Sequence, residues 1–259
     1  MLRMAAFDLS FAGTCACDFS PLLKTVYADR FDKNARRSSS LLVNHTLLID
    51  CGPHTFHALE LLRENQVSDL LLTHLHCDHF DPENVARLAA RRVSPLRVYF
   101  RAGASFPALP NVEPHPVEPM RDFAVGGHRI TALPANHDAG SFPLHYAIEH
   151  DGKRMFYGTD GAWYLTETYN YLYQKEFSFF VFDGTVGDYV GDYRLCEHNS
   201  IPMIRLMLAS LRGRGVFAPD ALLYLTHLAP SLHRPHDETA ALLAADGLHA
   251  AYDGERIRI

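Results

Sequence analysis

The chain has 259 residues, 47% of them hydrophobic and 21% charged, with a formal net charge of −6. That length can bury a sizeable core, the composition is that of a globular protein rather than a disordered or fibrous one, and the acidic balance gives no support to a broad nucleic-acid-binding face. No run approaches the ~20 apolar residues of a membrane helix, and five cysteines without the spacing of a disulfide framework point to a reducing compartment.

Met1 to Phe11 lacks the apolar core of a signal peptide, so a cytoplasmic protein without a membrane anchor is expected. No linker or repeat divides residues 1–259, which predicts one domain. Ala5 to Phe11 reads as a first strand, ending in Ala12-Gly13-Thr14. Cys15-Ala16-Cys17 has the spacing of half a metal site but lacks nearby partners, and thiols in a folded loop are the simpler reading. Lys24 to Arg37 is polar, basic and without period. Ser40 to Asp50 reads as two strands around a turn at Asn44-His45. Cys51-Gly52-Pro53 then breaks the chain before a helix from about His54 to Asn65. His54 and His57 on that helix read as surface or packing residues. Asp50, at a strand end, either orients a neighbouring ligand or caps a turn, and the sequence leaves both open.

Ser68 to Leu72 is a short apolar run that reads as a buried strand. It delivers Thr73-His74-Leu75-His76-Cys77-Asp78-His79 to a sheet edge. His74 and His76, two apart, can point to one side while Asp78 and His79 reach a neighbouring point. Imidazole nitrogen with carboxylate oxygen suits a borderline metal such as zinc better than calcium or magnesium. Asp81-Pro82-Glu83-Asn84 opens a helix to about Arg91, with Asp at the cap and Pro at the first helical position. Arg87, Arg91 and Arg92 read as its solvated basic face. Leu96 to Phe100 is a strand, and proline-rich 102–119 predicts a loop with at most one short strand.

Phe123–Val125 and Arg129–Leu133 form a hairpin across Gly126-Gly127. Leu144–Ile148 and Met155–Tyr157 form another across Asp151-Gly152. A helix over Thr166–Lys175 precedes the apolar strand Phe177–Phe182. Gly184 to Ser200 reads as a long loop of the kind that shapes pockets, with Tyr189, Tyr193 and Trp163 as candidate walls. Ser200 caps a helix to about Arg212, Ala221–Thr226 is a further buried strand, and Asp237 to Ala245 is a last helix before one or two short strands. His137, Asp160 and His227 each follow a hydrophobic strand directly, which gathers them on one rim of a sheet.

The order His-x-His-x-Asp-His after a buried strand resembles the signature of the metallo-β-lactamase superfamily. His137, Asp160 and His227 match its remaining motifs in chain order, over essentially the whole chain. The resemblance implies an α/β fold, a four-layer αββα sandwich of mixed sheets, holding two zinc ions; manganese or iron are separated from zinc only weakly by ligand type. By the same resemblance His74, His76 and His137 hold one ion, Asp78, His79 and His227 the other, and Asp160 bridges them, with Asp78 also counted among the catalytic residues. A hydroxide between the metals would be the nucleophile. Di-iron members usually place an acidic residue where this chain has His76, which favours hydrolysis over redox chemistry.

Gly13-Thr14, Arg37-Ser38-Ser39-Ser40, Leu72-Thr73-His74 and Leu225-Thr226-His227 are similar to one branch of that superfamily. It comprises the cyclic phosphodiesterases of phosphonate breakdown and the transfer-RNA 3′-processing nucleases. Glu197-His198-Asn199-Ser200 matches that branch's loop with a further histidine, which implies that His198 protonates the leaving alkoxide or holds a phosphate oxygen; its plainer role is in a helix cap. Asp183 would support the site from behind, as would Asp50. Two departures stand out. Only Cys15 and Cys17 remain of the relatives' cysteine-rich extra zinc site, with Ser20 and Pro230 where other ligands belong, so that zinc is expected to be absent. The protruding glycine- and proline-rich arm is also missing, which points to a small or cyclic phosphodiester over a large RNA. Lactone, lactam or thioester hydrolysis is the rival enzyme reading, a metal-binding regulator or scaffold the non-catalytic one, and a homodimer is left open.

Overall fold

In the computed structural model, which describes residues 5–19, 23 and 27–259, the apolar runs form two stacked sheets with helices outside. Met1, Ser20 and Lys24, named above, lie outside the described residues. In chain order the first half is β1 (Asp8–Gly13), β2 (Ser40–Val43), β3 (Leu47–Ile49), α1 (Thr55–Leu62), β4 (Asp69–Leu71), α2 (Pro82–Ala90), β5 (Leu96–Arg101) and β6 (Val112–Val117). The second is β7 (Asp122–Val125), β8 (His128–Pro134), β9 (Leu144–His150), β10 (Lys153–Gly158), α3 (Thr166–Leu172), β11 (Phe177–Asp183), α4 (Ile201–Gly213), β12 (Phe217–Thr226), α5 (His236–Ala244) and β13 (Leu248–Ala250), before β14 (Arg256–Arg258) returns to the first sheet.

Both sheets have seven strands, ordered β14-β1-β2-β3-β4-β5-β6 and β13-β12-β11-β10-β9-β8-β7. Read from β14 in the first sheet and from β7 in the second, three antiparallel pairings are followed by three parallel ones. The two halves therefore share one plan, with β3 equivalent to β10 and β4 to β11. Asp50 and Asp160 follow β3 and β10, and both adopt left-handed backbone, with φ of 61° and 54°.

Side chains alternate between faces along a strand, and here both faces are covered, so the strands read as nearly continuous apolar runs. Phe179 and Val181 of β11 join Ile49, Leu71, Met155, Tyr157 and Tyr224 between the sheets. Phe180 and Phe182 turn the other way, onto Ile204, Leu208 and Leu211 of α4. On the first sheet Leu48, Leu70 and Leu72 pack outward on α1 and α2 through Phe56, Leu59, Val85 and Leu88. This is the expected four-layer αββα sandwich.

Local signals explain most boundaries. The turn after β2 has both central residues in left-handed backbone, Asn44 at φ 49° and His45 at φ 63°, as a tight two-residue hairpin demands. Asp81 accepts hydrogen bonds from the Glu83 and Asn84 amides, with Pro82 opening α2. Differences from expectation are also physical. Arg87 and Arg91 are not simply solvated: their guanidinium groups lie 3.8 and 4.0 Å from the centre of the Phe56 ring. The proline-rich stretch holds the one short strand allowed for it, β6, at the sheet's edge, where a proline leaves no ladder partner unsatisfied. β12 begins at Phe217 rather than Ala221, and α3 ends at Leu172 rather than Lys175. No helix among the described residues is long and apolar enough to cross a membrane.

Candidate metal centre

The parallel strands of both sheets end on one rim, and there the polar residues meet. The loop after β4 carries His74, His76, Asp78 and His79; His137 follows β8, Asp160 follows β10, Asp183 ends β11 and His227 follows β12. Two donor groups hold the expected ligands, His74 with His76 and His137, and Asp78 with His79, Asp160 and His227, and a third, Asp160 with Asp183, His198 and His227, overlaps the second; the candidate atoms of each lie within 4.8 Å of one another. Gly52 permits the close approach of this loop, since a Cβ there would sit 2.0 Å from the Asp78 carbonyl oxygen.

Imidazole nitrogens from different strands converge in pairs. His79 Nε2 stands 3.2 Å from His227 Nε2, and His137 Nε2 stands 3.3 Å from His76 Nδ1. Two ligands on one tetrahedral zinc, each at ~2.05 Å, are separated by about 3.3 Å. His74 Nε2 is buried without a hydrogen-bond partner among the described residues, and meets Asp160 Oδ2 at 3.3 Å. That oxygen is also 2.9 Å from His79 Nε2 and 3.8 Å from His137 Nε2, so Asp160 touches both groups. Asp78 Oδ2 lies 3.4 Å from His79 Nε2 and 3.5 Å from His227 Nε2.

Charge tells the same story. Asp50, Asp78, Asp160 and Asp183 are all buried, and among the described residues no lysine or arginine pairs with any of them. Buried carboxylates need cations. Burial pushes the Asp78 carboxyl up, but His79 and His227 bring it well below the usual carboxylate range. Asp160 is lowered in the same way, by His227 and His79 against its burial. Burial pushes His79 down while Asp160, Asp78 and Asp50 hold it well above the ordinary imidazole value; His227 behaves alike under Asp160 and Asp183. His74 and His137, with fewer carboxylates around them, are lowered, first by burial. The donor set, the nitrogen separations and the surplus of buried carboxylate all fit divalent metal ions.

The outer nitrogens are held from behind, which fixes which nitrogen faces the centre. His79 Nδ1 is 2.8 Å from Asp50 Oδ2, and Asp50 also accepts from the Thr73 amide at 2.8 Å and its hydroxyl at 2.9 Å. Asp50 therefore contacts both the His79 ring and Thr73; burial raises its carboxyl, and His79 and Thr73 oppose that rise. His74 Nδ1 lies 3.0 Å from Thr73 Oγ1. Thr185, absent from the sequence reading, gathers three partners on its hydroxyl: His227 Nδ1 at 2.7 Å, His198 Nδ1 at 3.1 Å and Asp183 Oδ2 at 3.1 Å. Its signal was its place, two residues past a strand-end aspartate.

His198 Nδ1 stands 3.0 Å from Asp183 Oδ2, and burial, which lowers this imidazole, is outweighed by Asp183, so its value is raised. His198 lines a cavity of about 120 Å³ together with His76, Asp78, His137, Asp160 and His227. That is well short of the ~300 Å³ of pockets enclosing whole drug-sized ligands, so it takes a reacting group rather than a whole substrate. The other walls are Cys17, Asp18 and Arg194, with Ala16, Thr185 and Ala229. None was expected there, and Tyr189, Tyr193 and Trp163 are not among them. Tyr189 instead lines a neighbouring cavity with Arg234 and Leu242. Cys15 is buried and Cys17 exposed, and among the described residues no candidate metal group contains a cysteine.

A family model described as a beta-lactamase superfamily domain matches residues 45–201. Among solved structures, a diphosphatase from the PhnP family is 18% identical, covering 98% of this chain and 97% of that one with a TM-score of 0.74. The metallo-beta-lactamase fold protein YhfI from Bacillus subtilis is 14% identical over 98% and 99% of the two chains, TM-score 0.74. The short form of human tRNase Z is 16% identical over 97% and 99%, TM-score 0.68. No curated protein matches the sequence.

Proposed function

The chain belongs to the beta-lactamase superfamily, a family of metal-dependent hydrolases, and from that premise we propose that it is a phosphodiesterase for a small or cyclic phosphodiester, working with two zinc ions. The observation that carries the reading is Asp160, whose Oδ2 touches imidazoles of both donor groups, with the His198–Asp183 pair on the same cavity. His74, His76 and His137 are the ligands proposed for one ion, Asp78, His79 and His227 for the other, and Asp160 for both. Ions bound there would lower the pKa of a water to about 7 and offset negative charge in the transition state.

The chain's own residues do the rest. Asp50 and Thr185 hold His79 and His227 with their Nε2 atoms inward, so no reorganisation is needed as charge develops. Asp78, proposed as a ligand of the second ion, would also orient the proton of the attacking water with its carboxylate. Asp183 anchors His198 through Nδ1, favours its protonated form, and leaves Nε2 to donate a proton to the departing alkoxide as the phosphorus–oxygen bond breaks. The alkoxide leaving a lactone would draw on the same donor, so what favours the phosphodiester is the similarity of the whole chain to the PhnP-family diphosphatase and to tRNase Z. The test is hydrolysis by purified, zinc-loaded protein of bis-aryl phosphates and of 2′,3′- and 1,2-cyclic phosphates, with lactones and thioesters alongside. Cleavage of the lactones or thioesters alone would overturn the reading.

A further inference from the structure

The two ions proposed for hydrolysis draw on Asp160 through Oδ2 and on His227 through Nε2. The atoms left over belong to the overlapping group of Asp160, Asp183, His198 and His227, whose donor atoms lie within 4.8 Å of one another. His198 Nδ1 stands 3.0 Å from Asp183 Oδ2 and 3.7 Å from Asp160 Oδ1. His227 Nδ1 stands 2.9 Å from Asp160 Oδ1 and 3.6 Å from Asp183 Oδ2. These separations bracket the ~3.3 Å between two ligands of one tetrahedral zinc. Asp160 is 2% exposed, and its Oδ1 has no hydrogen-bond partner among the described residues. Asp183 is wholly buried. Asp160, Thr185, His198 and His227 all line the metal-centre cavity, so an ion arriving through that cavity meets the group.

We propose that Asp160 Oδ1, Asp183 Oδ2 and His198 Nδ1 form a third, weaker zinc site, and that zinc bound there inhibits turnover. His227 Nδ1 stays outside the set. With Nε2 on the second ion it keeps its proton, which the Thr185 hydroxyl accepts at 2.7 Å. The incoming ion takes the lone pair of His198 Nδ1, and the proton on that nitrogen leaves to solvent. An imidazolium releases its Nε2 proton near neutral pH, whereas a neutral imidazole on a metal holds it much more tightly, so the departing alkoxide loses its donor. The site is weaker than the first two for an electrostatic reason. Two divalent ions already offset the four buried carboxylates, Asp50, Asp78, Asp160 and Asp183, and a third enters against like charge. It fills only when zinc exceeds two equivalents. The inhibition rests on the phosphodiesterase reading; the binding of a third ion does not.

Equilibrium dialysis of the full chain against rising zinc, with bound metal measured by emission spectrometry, should give two tight equivalents and a weaker third. Asp183→Asn and His198→Gln should each bind one equivalent fewer while keeping the first two, which also shows that the variants fold. His198, with a side chain 13% exposed, carries the test by itself if the buried Asp183 does not tolerate replacement. A wild type that stops at two equivalents, or a His198→Gln variant that binds as many as wild type, overturns the inference. Loss of the second equivalent together with the third makes the two overlapping groups one site and overturns it as well. Turnover supplies the second arm. Zinc beyond two equivalents should slow cleavage of a 2′,3′-cyclic phosphate, whose alkoxide needs the proton, by about 10²-fold or more relative to bis-nitrophenyl phosphate. Equal inhibition of both substrates, or of neither, overturns the inhibitory role. A third equivalent that depends on His198, in a protein that cleaves neither phosphodiester, would remove the phosphodiesterase reading and leave the zinc site standing.

Discussion

Asp50 Oδ2 lies 2.8 Å from His79 Nδ1 across 29 residues of chain, with both side chains fully buried. A carboxylate behind a metal-facing imidazole fixes its tautomer and raises its basicity, and losing one typically costs 10–100-fold in metal affinity. Asp50→Asn should therefore weaken zinc binding by about that factor in a chelator competition while the circular dichroism spectrum is retained. Unchanged affinity would reduce Asp50 to a packing group.

His76 is the exposed member of its group, with Nδ1 beside His137 Nε2 and Nε2 3.4 Å from Asp138. His76→Ala should abolish turnover and halve the metal content measured by emission spectrometry. A fully active variant would remove His76 from the ligand set.

His198 separates proton donation from metal binding. His198→Gln should lower kcat by about 10²–10⁴-fold for alkyl leaving groups, and much less for nitrophenolate, which departs without a proton. Asp183→Asn should follow the same pattern. A loss independent of leaving-group pKa would argue for a role in folding the loop.

The two donor groups should respond differently to acid. The carboxylates around His79 and His227 favour their protonated forms in the metal-free protein, and a proton held there must leave before a metal binds. His74 and His137, pushed down by burial, are already neutral. Affinity at the Asp78–His79–His227 group therefore rises with pH and is lost first as pH falls. Dialysis of the loaded protein at pH about 5.5 rather than 7.5, a window spanning ordinary imidazole titration, should leave one ion where two were bound. Calorimetry in buffers of different ionisation enthalpy should show proton release for the second ion and little for the first.

The cluster His74 to His79 was legible because its donors are consecutive, and the strand-end positions of His137, Asp160 and His227 because apolar runs stop just before them. Asp50 was half legible: its place at a strand end was plain, its partner was not. The pocket walls were misjudged for a physical reason. Exposed aromatic residues in a loop are conspicuous in a sequence, yet Tyr193, 83% exposed, faces solvent while its neighbour Arg194 lines the cavity. The direction of a side chain in a short 3-10 turn depends on what the turn packs against, not on its residue types.

By itself the sequence determined the donor chemistry, the order of the ligands and the alternation that makes both faces of each strand apolar, because these are local properties of spacing and period. Only the tertiary structure decided which groups touch. His79 Nε2 meets His227 Nε2 across 148 residues, and Thr185 joins Asp183, His198 and His227 on one hydroxyl. Such contacts follow from the order of strands in two sheets and from where their ends stop along a shared rim. No short-range pattern encodes that order, since any apolar strand pairs as readily with several neighbours until the whole sandwich closes.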